Sequence, residues 1–217
     1  MFENLFLIKN IFSVFMNISK VCVFLDNGHG SNTPGKCSPD KKLLEYKWAR
    51  EIVAKLKPEL ESLGCKVEII VPETVDISLT QRVKRVNSLY NKYRKQGYFC
   101  FLISVHINAA GGDGKWHDAT GWTGWVAKVS SANSKKLAQC LYKQAEILKL
   151  KGNRYVPKEK YWTANYTIIS RTNCPAVLTE NLFQDNKKEA EYLLSNEGKE
   201  TIVKLHVEGI KDFIKTI

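Results

Sequence analysis

The stretch "VCVFLDNGHG", Val21 to Gly30, decides how the rest of the chain is read. Val21, Cys22, Val23, Phe24 and Leu25 form an apolar run of the length of a buried strand. Asp26, Asn27, Gly28, His29 and Gly30 then supply a turn that carries a carboxylate and an imidazole. Two readings stand at this point. Either the glycines make a turn and the histidine is a bystander, or the turn aims the imidazole at something.

Composition bounds the choice. The chain has 217 residues, 44% of them hydrophobic, which suits one globular domain with a substantial core. With 25% charged and 11% aromatic residues, a disordered chain is excluded. The net charge of +11 favours an anionic partner, whether nucleic acid, an acidic membrane surface or a wall polymer, and does not choose among them. Cys22, Cys37, Cys65, Cys100, Cys140 and Cys174 are widely spaced and form no CxxC pair, so a zinc ribbon or redox motif is not indicated. They read as free thiols packing like small hydrophobes, in keeping with a reducing site of synthesis, while their even count leaves disulfides open.

Residues 1–20 are rich in Phe, Leu and Ile but lack the basic start and small-residue cleavage site of a signal peptide. Lys9 and Asn10 interrupt the apolar run, leaving too little on either side for a membrane span. The segment reads as an amphipathic N-terminal extension, with a membrane-surface helix as the second reading. A single domain over residues 21–217 follows it.

Strands and helices alternate along that domain. After a loop at "SNTPGKCSPDKK", the pattern Leu43, Leu44, Trp48, Ile52, Val53, Leu56, Leu60, Leu63 has helical spacing, with Gly64 as its C-terminal cap and Pro58 expected to kink or divide it. "CKVEIIV" is a second strand. A second helix is expected over "SLTQRVKRVNSLYNKY", capped by Ser78, with Arg82, Lys84 and Arg85 toward solvent. "YFCFLISVHIN" is a third, central strand. A Gly-rich segment leads to a strand over Gly124–Val129, then a helix from about Asn133 to Leu150. "IIS" and "PAVLTENLF" are read as strand material, and the last 30 or so residues as one or two helices. The alternation predicts an α/β fold: a three-layer domain with a mostly parallel sheet flanked by helices on both faces.

In such sheets function collects at the carboxyl ends of the strands. His29 lies beyond the first strand, His106 and Asn108 at the end of the third, and Glu180 at the end of the late strand. Glu45, near the start of the first helix, belongs to the same edge. Two imidazoles and one carboxylate with an open fourth position are the ligand set of a hydrolytic zinc site, and a further carboxylate can serve as general base. Each residue alone has a plainer reading, Glu45 for instance as a favourable charge at a helix N-terminus. Their spacing is not a general zinc signature. His117 falls in the Gly-rich loop and His206 in what reads as a surface helix, so neither joins the set.

The segments "VFLDNGHG", "LLEYKWAREIVAKLKPELESLG", "SLTQRVKRVN", "FLISVHINAA" and "CPAVLTENLFQDN" resemble, in order, those of the zinc-dependent N-acetylmuramoyl-L-alanine amidases of the amidase-3 family. That resemblance implies a twisted sheet of about six strands flanked by helices. It implies Zn2+ on His29, Glu45 and His106, and Glu180 as the catalytic glutamate. The bond cut would join N-acetylmuramic acid to L-alanine in peptidoglycan. Asn108 is then a candidate to orient a ligand or meet substrate. Asp26 is a candidate to hold an imidazole tautomer, and both have equal standing as turn residues. Trp116, Trp122, Trp125, Tyr161 and Trp162 stand in a region more aromatic than the family pattern and read as groove or core, Trp125 as core.

Peptidoglycan is the expected partner; nucleic acid and stable membrane insertion are not expected. The expectation for location is synthesis in the cytoplasm and action on the bacterial cell wall, as for an endolysin or a wall-remodelling enzyme. The rival readings are a zinc peptidase acting on peptidoglycan stem peptides and a non-catalytic binder of wall or nucleic acid.

Overall fold

The computed structural model describes residues 20–217; the expected extension over residues 1–20 lies outside them but for Lys20. Six strands alternate with six helices: β1 (Val21–Asn27), α1 (Glu45–Ser62), β2 (Lys66–Ile69), α2 (Leu79–Lys95), β3 (Phe99–Asn108), β4 (Thr123–Val126), α3 (Ala132–Ile147), β5 (Trp162–Thr163), α4 (Thr167–Ser170), β6 (Ala176–Phe183), α5 (Lys187–Leu194) and α6 (Asn196–Ile214). The sheet order is β2-β1-β3-β6-β4-β5. All neighbouring pairs are parallel except β4 with β6, so the mostly parallel sheet expected from the alternation is present.

Period two along the strands divides the interior into two cores. Val21, Val23 and Leu25 of β1, with Phe101, Ile103 and Val105 of β3, face a large core roofed by α1, α3 and α6. Cys22, Phe24, Cys100, Leu102 and Leu178 face a smaller core roofed by α2 and α4. Continuing the alternation, Asp26, Ser104, His106 and Glu180 extend the smaller core's face toward the carboxyl edge.

The helix ends are set by local chemistry. Ser78 caps α2 in a capping box with Gln81. Gly64, at φ 86°, ends α1 in a Schellman turn, donating to the Glu61 carbonyl while Cys65 N–H reaches the Leu60 carbonyl. Among the described residues all six cysteines are free thiols, and no helix is long and apolar enough to cross a membrane.

Four expectations need correction. Pro58 does not divide α1, which runs unbroken to Ser62. The carbonyl that loses its amide partner belongs to exposed Ala54, where it faces solvent instead of the interior, while Leu56 and Leu60 pin the helix to the core. "IIS" is a helical turn, α4, because Ile168 and Ile169 both enter the smaller core; a strand would send one of them out. Arg82 is not toward solvent but 3% exposed. His206 is not on a surface helix. The helix that carries it, α6, packs so tightly on α3 that a Cβ on Gly209 would lie 2.7 Å from Leu141 Cδ2. His206 is fully buried, with Nε2 3.1 Å from Thr179 Oγ1 and Nδ1 2.8 Å from the Ile202 carbonyl.

Burial pushes the His206 pKa down to about 4. Between its ordinary value of 6.5 and about 4, the unfolded chain takes up a proton that the folded chain refuses. Stability is therefore full above pH 6.5 and falls with pH through that window, by up to about 1.4 kcal/mol per pH unit for this group. Denaturant unfolding at pH 7, 5 and 4 should show a shallower loss in His206→Gln than in wild type. Equal losses in the two proteins would contradict the assignment.

Candidate metal centre and catalytic carboxylate

His29 occupies the turn after β1 with φ 58°, a left-handed backbone that costs a non-glycine residue about 1–2 kcal/mol. The flanking glycines are needed for space. A Cβ on Gly28 would sit 2.4 Å from the His106 ring, and one on Gly30 would sit 2.0 Å from the Asp76 backbone nitrogen. The positive φ thus falls on the histidine itself, and its neighbours allow close approach.

Glu45 is the first residue of α1 and is 1% exposed. Its Oε1 accepts the Ile107 N–H at 2.9 Å, lies 3.1 Å from His106 Nδ1 and 3.5 Å from His29 Nε2. The two imidazole rings stand edge to face with centroids 4.9 Å apart. Among the described residues, His29, Glu45 and His106 are the one group of three whose ligand atoms lie within 4.8 Å of one another. The Glu45 Oε2 atom is buried without a hydrogen-bond partner.

The three groups differ in their electrostatics. Burial presses the His29 pKa down to about 4, overcoming the pull of Glu45, so the ring is neutral and has a lone pair to give. Burial works to raise the Glu45 pKa, but the hydrogen bond and charge of His106, with a further pull from His29 when that ring is protonated, hold it below its usual value. For His106, burial is outweighed by the hydrogen bond and charge of Glu45, and its pKa is raised. Two imidazoles, one carboxylate and an orphaned carboxylate oxygen fit a divalent metal ion of the zinc type.

Glu180 stands directly opposite His106 in the β3–β6 register, and opposite Thr123 on its other side. The register shifts just beyond, between His106 and Asn108, where Leu182 adopts φ 64°. Glu180 does not end its strand, as the sequence reading had it; three residues of β6 follow. Burial pushes its pKa up to about 7 against the opposing charge of His106, and its Oε2 is buried without a partner. A cavity of about 330 Å³ opens beside His29 and His106, walled by Ile77, Ser78, Leu79 and Ile168.

The other candidates divide. Asp26 does not hold an imidazole: one oxygen accepts from Arg82 and the other from Ser104. Asn108 Oδ1 accepts the Ala109 N–H, leaving its Nδ2 buried and unpartnered. His117 pairs with Asp113 in an exposed loop, outside the group. Trp122 is core, its Nε1 donating to Asn181 Oδ1. Trp125 is half-buried at the margin of the smaller core, with its ring edge-on to Tyr166 at 5.6 Å on the Glu180 side of the sheet. Tyr166 and Arg154 were not singled out from the sequence; both lie close enough to Glu180 for the charges to interact. The sequence signal that could have found them is the basic, aromatic character of residues 151–167.

Comparison with known proteins agrees with this geometry. Residues 23–212 match the family model Amidase_3, N-acetylmuramoyl-L-alanine amidase. The N-acetylmuramoyl-L-alanine amidase CwlM of Bacillus licheniformis is 30% identical over 192 residues, covering 88% of this chain and 67% of that protein. The endolysin of Bacillus phage SPP1 is 31% identical over 198 residues, covering 88% of this chain and 65% of that protein. The chain thus spans about two thirds of the length of these curated relatives. The crystal structure of the amidase Ami1 from Mycobacterium smegmatis superposes with a TM-score of 0.77 at 16% identity, over 93% of this chain and 100% of that one, a likeness of fold. The chain belongs to the Amidase_3 family, the N-acetylmuramoyl-L-alanine amidases, and is by that membership a hydrolase acting on peptidoglycan.

Proposed function

We propose that this amidase cleaves the amide between the lactyl group of N-acetylmuramic acid and L-alanine, with Zn2+ held by His29, Glu45 and His106 and with Glu180 moving the protons. The observation that carries this reading is the meeting of His29 Nε2, Glu45 Oε1 and His106 Nδ1 beside a carboxylate fixed on the next strand. When bound, zinc supplies Lewis acidity toward the scissile carbonyl and acidifies water.

The chain's own residues do the rest. Glu180 Oε2 has no competing partner and takes a proton from the attacking water as the oxygen adds to the lactyl carbonyl carbon. A carboxyl whose ordinary pKa is raised by burial is a better base than an exposed one, and it holds the proton long enough to return it. The same oxygen then delivers that proton to the alanine nitrogen as the C–N bond breaks. Atoms balance: water's oxygen ends in the lactyl carboxyl group and its proton on the amine. Asn108 keeps a free Nδ2 donor at this edge, and we assign it to the substrate side. The +11 charge draws the protein to anionic wall polymers, an attraction that salt weakens.

Three outcomes test the reading. Glu180→Gln should lower the release of stem peptides from purified wall by about 10²–10⁴ while zinc content stays near one per chain; near-normal turnover would remove Glu180 from the reaction. A chelator should abolish activity and added zinc restore it, and His29→Ala should fail to recover; activity that survives chelation would remove the metal. Mass spectrometry of the digest should find free stem peptides beginning with L-alanine. Alanine left on muramic acid would point instead to a stem-peptide peptidase.

A further inference from the structure

We propose that Arg50 and Arg82 are paired positioning residues for the metal centre, gripping the backbone of the His29 turn so that its imidazole faces Glu45 and His106. The inference rests on the reading of His29 as a ligand.

Two guanidinium groups converge on one carbonyl. The His29 carbonyl accepts from Arg50 Nη2 at 3.0 Å and from Arg82 Nη2 at 3.1 Å. The preceding carbonyls point the same way: that of Asn27 accepts from Arg82 Nη1 at 2.7 Å, and that of Gly28 lies 3.5 Å from Arg50 Nη1. On the far side of the turn, Gly30 N–H donates to Thr33 Oγ1, whose hydroxyl donates to Asp76 Oδ2. The other oxygen of Asp76 accepts from Arg82 Nη2, closing a ring of side chains around the turn. The turn is therefore held by its backbone, and the imidazole is left free for other partners.

The two arginines divide the work. Arg82 is 3% exposed, and its charge is balanced by Asp26 and Asp76. Arg50 makes no carboxylate bond among the described residues. Its other donors go to the carbonyls of Glu73 and Tyr46, which ties the turn to the loop before α2 and to α1 itself. Because α1 also carries Glu45, Arg50 couples the placement of two ligands. A planar fork with five N–H donors spans several carbonyls in fixed directions; a lysine ammonium, a compact group with three donors, does not reach as many. The left-handed φ of His29 is the kind of backbone that persists only when its surroundings over-determine it.

The test measures metal binding rather than turnover. Zinc affinity of Arg50→Met and Arg82→Lys is read by competition with a chromogenic chelator, and the ligand field by the visible spectrum of the cobalt-loaded proteins. Ile202→Val, a core change on α6, serves as the control for a general loss of stability, and apo-protein melting is recorded for each. We expect zinc to bind about 10–100-fold more weakly in both arginine variants, with an altered cobalt spectrum, while the control keeps wild-type affinity and spectrum. Arg50→Met decides alone if Arg82→Lys does not fold, since Arg50 leaves no buried carboxylate behind. Zinc affinity within twofold of wild type and an unchanged cobalt spectrum in folded Arg50→Met would overturn the proposal. His29→Ala separates the two readings: if it too binds zinc like wild type, the ligand assignment itself has failed.

Discussion

A carboxylate buried to 1% exposure at the first residue of α1 is the constraint on which the rest of the structure depends. An unpaired charge in such a place costs several kcal/mol. Glu45 offsets that cost with one backbone N–H from Ile107 and with the imidazoles of His106 and His29. The helix cannot slide along the sheet without breaking this arrangement. Its other anchor is Trp48, whose indole N–H donates to the Leu193 carbonyl from within the large core. One oxygen of Glu45 still lacks a partner, and a buried polar atom without one calls for an explanation. A metal ion bound between the histidines, as proposed, would give it one.

The parallel sheet then supplies what a single helix cannot. Alternation puts His106 and Glu180 on the same face, and the β3–β6 register puts them side by side. A slip of one residue would send one of the two into the large core. The site therefore inherits its precision from strand pairing deep in the domain, while its opening is walled by the start of α2 and by α4. The glycines at 28 and 30 belong to the same design. They let a histidine in a strained conformation be wrapped by neighbours at distances no Cβ would allow.

The layered α/β architecture was legible in the sequence because its signals are local: apolar runs for the strands, helical spacing for α1 and α2, and Ser78 at a helix start. The site edge followed from the rule that parallel strands end together, and His29, Glu45 and His106 do meet there. What was not legible depends on tertiary neighbours. Nothing in "SLTQRVKR" says that Arg82 turns inward, because its reason is a pair of carboxylates, at positions 26 and 76. Asp26 was read beside His29 because they are close in sequence, yet the strand's alternation turns it toward Arg82 and Ser104. His206 sits on a helix that looks amphipathic, and only tertiary packing, which brings its ring against Thr179 of β6, buries it. Adjacent isoleucines at 168 and 169 carry no periodicity, so a helical turn and a strand look alike there.

The central claim is that Glu45 gathers two histidines around a metal ion at the carboxyl edge of the sheet. Crystals of the protein grown with zinc, measured on both sides of the zinc absorption edge, test it most directly. The account predicts an anomalous peak bounded by His29 Nε2, Glu45 and His106 Nδ1, with the Glu180 carboxylate nearby and outside the ligand set. A well-ordered site without such a peak, or a zinc ion held by other residues instead, would contradict it.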